Sequence, residues 1–170
     1  MKKFIATLVI FICVGSALSA ADLNVGGGLL VNVDFISIHD TSGENVEDFD
    51  FPVLPFYGFY AFVDMDYIEF DLGLLFFMPA FEIGAYGKFP IKLGVITLSP
   101  MVGIEFSNAL FILNSLFIRA GLGIDINLSK SIFIRTDALY GYALTNSIIF
   151  FPININRHSV KIRAAIGFKL

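Results

Sequence analysis

At least five stretches of this chain sort their residues by parity, with every charged residue on one parity and large apolar residues on the other. From Ile68 the even positions read Ile68, Phe70, Leu72, Leu74, Phe76 and Met78, and the odd ones Glu69, Asp71 and Gly73. The final segment does the same, setting Ser159, Lys161, Arg163, Ala165, Gly167 and Lys169 against Val160, Ile162, Ala164, Ile166, Phe168 and Leu170. Side chains of a strand alternate faces with period two, so each stretch predicts a strand with one polar and one strongly apolar face. In a chain that is 56% hydrophobic, the apolar face is expected to meet lipid.

The chain begins with Lys2 and Lys3, then an uncharged apolar run from Phe4 to Val14, then the small residues Gly15, Ser16, Ala17, Ser19, Ala20 and Ala21. That order predicts a secretory signal peptide over residues 1–21, cleaved after Ala21 or, as the alternative, after Ala20, and too short to span a bilayer as a retained helix. Cys13 is preceded by Phe11 and Ile12 rather than by a small residue, which argues against a lipid anchor there. Residues 22–170 then form one predicted barrel domain with no cysteine and hence no disulfide. The eleven basic residues fall to nine once Lys2 and Lys3 are removed, against fifteen acidic ones, a net charge of −6. Nothing basic is clustered, so nucleic acid is not an expected partner.

Alternation and turn residues predict eight strands. They run over Leu23–Ile38, Phe51–Val63, Tyr67–Met78, Phe81–Pro90, Val95–Phe106, Leu116–Leu128, Ile132–Leu144, and a last strand reaching Leu170. The second is apolar on both parities, and its faces stay unassigned. Turns at Asp64–Asp66, Lys92–Gly94 and Ser129–Ser131 are short, whereas three of the four connections at the other end are longer, the one at Pro79 excepted. That asymmetry is the one found in outer-membrane barrels.

Volume decides which face is inside. An eight-stranded barrel has an interior just wide enough for its own side chains, and Leu, Ile, Val and Phe on nearly every strand would overfill it. The polar parity instead mixes charges with nine glycines: Gly26, Gly28, Gly73, Gly84, Gly103, Gly121, Gly123, Gly141 and Gly167. The predicted lumen holds seven acids (Asp34, Glu69, Asp71, Glu82, Glu105, Asp125, Asp137) and six bases (Lys88, Arg119, Arg135, Lys161, Arg163, Lys169). Confined charges must pair to offset desolvation. The expectation is therefore an all-β, eight-stranded antiparallel up-and-down transmembrane barrel, closed because lipid tolerates no unpaired strand edge.

In this pattern the chain resembles the small eight-stranded outer-membrane proteins of the OmpA, OmpX and OmpW type. The resemblance spans residues 22–170 and rests on rhythm, not on a sequence motif. It implies residence in the outer membrane of a diderm bacterium, contact with outer-membrane lipid, and assembly by machinery that reads the last strand. Such strands usually end on an aromatic residue; here Phe168 lies two short of the end and Leu170 is last.

The lumen charges are expected to form a closed plug, and the function to be structural or a surface contact of the adhesion type. An OmpW-like narrow channel or binding site for small hydrophobic compounds is the alternative, suggested by the apolar connections Ala109–Leu113 and Ile148–Ile153. A lipid-modifying enzyme is a third class, but no nucleophile and base come together: Ser159 adjoins His158 on the opposite face, and Ser147 has no visible histidine partner. His39 and His158, on strands that closure makes neighbours, are expected to meet at the outer rim beside Asp40. Third and fourth metal ligands are not evident, and no cofactor is implied. Asp40, Glu44, Glu47, Asp48 and Asp50 make the first long loop acidic without a base. It reads as a solvated loop or as a contact for a cation or a basic extracellular partner.

Overall fold

The computed structural model describes residues 23–39, 49–50, 54–76, 80–109, 113–148 and 154–170. Eight long antiparallel strands make the wall: β1 (Leu23–His39), β3 (Leu54–Met65), β4 (Ile68–Leu75), β5 (Ala80–Lys88), β7 (Ile96–Ala109), β8 (Leu113–Asn127), β9 (Ile132–Ile148) and β10 (Asn154–Lys169). Two short pieces, β2 (Phe49–Asp50) and β6 (Ile91–Leu93), pair with β1 and β7. Each long strand pairs with its sequence neighbour, and β10 returns to β1 from Asn24↔Lys169 to His39↔Asn154, which closes the sheet.

Hydrogen-bonded partners followed once around the wall lead from Leu23 through Met65, Ile68, Gly87, Val102, Ala120, Tyr140 and Val160 back to Val33. The circuit ends ten residues along the strand it left. With a rise of about 3.3 Å per residue and strands about 4.8 Å apart, that stagger tilts the eight strands by roughly 40°. The cylinder is narrow and must be filled by its own side chains.

Parity places the faces as expected. Along β4 exposure alternates residue by residue, with Ile68, Phe70, Leu72 and Leu74 outward and Glu69, Asp71, Gly73 and Leu75 buried. The ambiguous strand resolves too: on β3, Tyr57, Phe59 and Val63 face out, while Gly58, Tyr60, Phe62 and Asp64 face in. The outer surface is a continuous apolar girdle, far beyond the few hundred Å² of apolar patch that a water-soluble monomer exposes.

Strand limits differ from the sequence expectation chiefly at the two ends. Asp64 belongs to β3 and not to the turn, which narrows to Asp66 and Tyr67; Asp66 takes a left-handed φ of 34°, a conformation Asp tolerates better than most residues. The turn around Lys92 is a small hairpin of β6 on β7, reversed at Gly94 with φ 67°. At the other end β7, β8 and β9 run further than expected, leaving only residues 110–112 and 149–153 between strands. Apolar connections that looked like loops are therefore in part strand, because ladder pairing satisfies their backbone. A bulge where Leu116 faces Thr145 and Phe117 faces Ala143 adjusts this extension. The predicted signal peptide, Cys13, Met78, Pro79, and the acidic residues Asp40, Glu44, Glu47 and Asp48 lie outside the described residues, as do the side chains of His39, Asp50 and Ser147.

Close strand contact makes some wall positions intolerant of any side chain. A Cβ on Gly28 would lie 1.9 Å from the carbonyl oxygen of Ala164 and 2.5 Å from Cα of Ala165, both backbone atoms of β10. Gly28→Ala is expected to lower unfolding stability in detergent micelles by about 1–3 kcal/mol, read as a shifted thermal or urea midpoint.

Candidate functional site

The lumen carries the chemistry of this chain, and its charges stack in layers set by register. Nearest the turn end, Arg135 grips Asp125 with two hydrogen bonds, Nε to Oδ1 at 2.6 Å and Nη2 to Oδ2 at 2.8 Å. It also donates to Asp64 and to Glu69, both at 2.6 Å. Lys88 joins the layer, 2.5 Å from Asp64 and 3.8 Å from Glu69. The guanidinium packs against the rings of Phe62 and Phe133, 4.5 and 5.2 Å from their centroids, which stand 6.2 Å from each other.

Two glycines make that clamp possible. Gly26 and Gly167 are partners across the closing seam, and Cβ atoms there would strike the ring edges of Phe62 at 2.5 Å and Phe133 at 2.1 Å. Each ring lies over the glycine paired with it on the neighbouring strand, Phe62 over Gly26 and Phe133 over Gly167, a close approach that only glycine allows.

The middle layer centres on Arg163. It donates to Asp71 and, at 2.8 Å, to Glu69, and pairs with Asp137 at 2.8 Å. The rings of Tyr60 and Tyr86 stand 4.9 and 5.4 Å from its guanidinium carbon. Above it, Lys161 bridges Glu82 and Glu105, both at 2.5 Å. Tyr86 donates to Glu105 at 2.7 Å, and Asn32 to Glu82 at 3.2 Å. Arg119 pairs with Glu105 at 2.7 Å in an orientation short of a hydrogen bond, and lies over the Phe117 ring at 4.7 Å. Toward the outer end Arg157 binds Asp34, donates to Ser115 at 3.0 Å, and shares the Phe117 ring at 5.0 Å.

Twelve of the thirteen expected lumen charges are thus brought together: Asp34, Glu69, Asp71, Glu82, Lys88, Glu105, Arg119, Asp125, Arg135, Asp137, Lys161 and Arg163. Lys169 is not among them. It sits on the last rung, beyond the Arg135 layer, exposed and donating to Asn127 Oδ1 at 2.6 Å, where water solvates its charge. Two members were missed, although parity marks both: Asp64 shares the even parity of Tyr60 and Phe62, and Arg157 the odd parity of Lys161. Among the described residues the lumen therefore holds eight acids and six bases. The inward aromatics Tyr60, Phe62, Phe117 and Phe133 were not anticipated, whereas Tyr86 follows the parity of Glu82 and Lys88.

The histidine pair does not form. His158 is the register partner of Phe35, and His39 that of Asn154, four rungs or roughly 13 Å apart along the strand. His158 instead shares a 2.5 Å hydrogen bond with the Tyr140 hydroxyl. Among the described residues no group of three or more His, Cys, Asp or Glu is arranged to hold a metal ion. Ser159 is fully buried in the lumen while His158 lies on the other face, so the two cannot act as nucleophile and base. At the turn end the lumen opens into a cavity of about 360 Å³ lined by Asp64, Lys88, Ser99, Asp125, Lys130 and Lys169, among others.

No family model matches the chain, and no curated protein resembles it in sequence. Its fold does match solved outer-membrane barrels. Neisserial surface protein A superposes with a TM-score of 0.51 at 10% identity, over 87% of this chain and 97% of that one. OprG from Pseudomonas aeruginosa gives 0.53 at 11% identity, over 89% and 96%. The fold is that of the small eight-stranded outer-membrane barrels.

Breaking a buried ion pair by removing one partner costs about 3–5 kcal/mol, because an unpaired charge stays behind. Arg135→Met is expected to lower stability by that order in detergent or lipid, whereas Lys169→Ala should move it by no more than about 0.5 kcal/mol. Equal midpoint shifts for the two variants would contradict the layer assignment.

Proposed function

We propose that this chain is an integral outer-membrane protein whose lumen is closed by its ion pairs, and that it serves a structural or surface-contact role through its outer ends. The observation that carries this reading is the opposition of faces: an unbroken apolar girdle outside and paired charges at fully buried positions inside. Only hydrocarbon around the cylinder makes that arrangement favourable, since water outside would leave the girdle unburied and the charges desolvated for nothing. Export through the leader at residues 1–21, and assembly through the strand ending at Leu170, belong to the same reading.

Closure is supported by the Arg135 layer, where one guanidinium packed against two rings meets three carboxylates within 2.8 Å. A solvated ion would have to displace several charge-assisted hydrogen bonds at once. We read the protein as non-enzymatic, because the lumen serine beside a histidine has that histidine on the far side of the wall. Contact with an extracellular partner would fall to the outer ends, including the acidic segment that begins at Asp40.

Planar-bilayer recording on the refolded protein is expected to show little steady conductance; large stable currents would replace the closed barrel with a pore. The protein is also expected to need detergent or lipid to stay monodisperse, which size-exclusion chromatography checks. A monodisperse species in plain buffer would overturn the membrane assignment.

A further inference from the structure

Buried polar atoms without a hydrogen-bond partner among the described residues recur along the whole lumen. Asp64 Oδ1 lies near the turn end, Asp137 Oδ1 and the Tyr60 hydroxyl at mid-height, Nε and Nη1 of Arg119 above them, and Ser159 Oγ and Asp34 Oδ1 toward the outer end. An orphaned polar group is costly in a dry interior, and ordered water is what normally satisfies it. From the register and tilt, successive members differ in height by roughly 6 Å or less along the axis, and Arg119 among them contributes only N–H donors, which can hold a water oxygen.

Glycines keep the wall beside these atoms bare. The Cβ position of Gly123 falls 2.5 Å from Asp137 Oδ1, and that of Gly141 falls 2.6 Å from Arg119 Nη1 and 3.1 Å from Ser159 Oγ. One unpartnered atom lies against bare backbone at Gly123 and two at Gly141.

We propose that the lumen carries a file of water and protonatable side chains that relays protons from the turn-end cavity to the outer rim, while the ion pairs bar hydrated ions. A proton enters at one end, each oxygen of the file accepts one proton and passes on another, and one leaves at the far end. Only O–H bonds are made and broken, and no electron moves. The fixed cations raise no uncompensated barrier, because each touches a carboxylate. Eight acids against six bases favour a travelling positive charge over hydroxide. The relay rests on the closed-lumen reading, which it extends from ions to protons.

The refolded full-length protein, reconstituted in phosphatidylcholine vesicles with a trapped pH dye and a potassium gradient clamped by valinomycin, tests the relay. Proton entry is expected to be several-fold faster than in protein-free vesicles, with sodium entry unchanged. Proton entry at the protein-free rate overturns the relay and leaves the closed lumen standing. Sodium crossing as fast as protons sinks both. Ser107→Leu combined with Ser159→Leu removes two buried lumen hydroxyls and fills their space; it should return proton entry to background. Unchanged entry in that variant, once shown to be folded, would place the leak outside the lumen and overturn the proposal. If the variant does not fold, the rates of the unaltered protein decide alone.

Discussion

Desolvation of ionised groups inside a closed cylinder is the constraint from which the rest of this structure follows. A stagger of ten residues over eight strands fixes a narrow interior, and no charge placed there can keep its hydration shell. Each must find a partner in the lumen or raise the energy of the folded state by several kcal/mol. Layering follows, because register delivers acids and bases from different strands to the same height. Arg163 of β10 meets acids carried by β4 and β9, and Lys161 meets acids of β5 and β7.

Aromatic rings complete what charge begins. Arg119, Arg135, Arg157 and Arg163 each lie over at least one ring, and a planar, weakly hydrated guanidinium stacks where an ammonium would not. The two lumen lysines, Lys88 and Lys161, instead sit as point charges between pairs of carboxylates. Arginine and lysine are therefore not interchangeable along this axis. Two of the rings fit because their partners on the adjacent strands, Gly26 and Gly167, have no side chain.

The fold was legible in the sequence because strand parity is a strong signal whenever one face meets hydrocarbon: Ile68 to Leu74 on β4 needed no further information. Most of the lumen could be read for the same reason. What escaped were places where parity lost its contrast or an end was misjudged. On β3, Tyr60 and Phe62 are as apolar as Phe59 and Val63, so these four give no contrast, and the one charge on the strand, Asp64, is what marks the inward parity. Asp64 was hidden by a turn that looked one residue pair too early. Lys169 obeyed the parity of Lys161 and Arg163, but height along the axis, which alternation does not encode, put it in water. Height also separated His39 from His158, since neighbouring strands bring two residues together only when their rungs coincide.

The glycine pair on the seam carries a consequence for how the barrel is made. Gly26 and Gly167 come from the first and last strands, and the rings they admit come from β3 and β9. The arginine packed against those rings holds acids contributed by β3, β4 and β8. Its cage is therefore finished only when the two ends of the chain find each other. Zipping of the final edge and consolidation of the axis are one event, with contacts spanning most of the sequence and a correspondingly slow search.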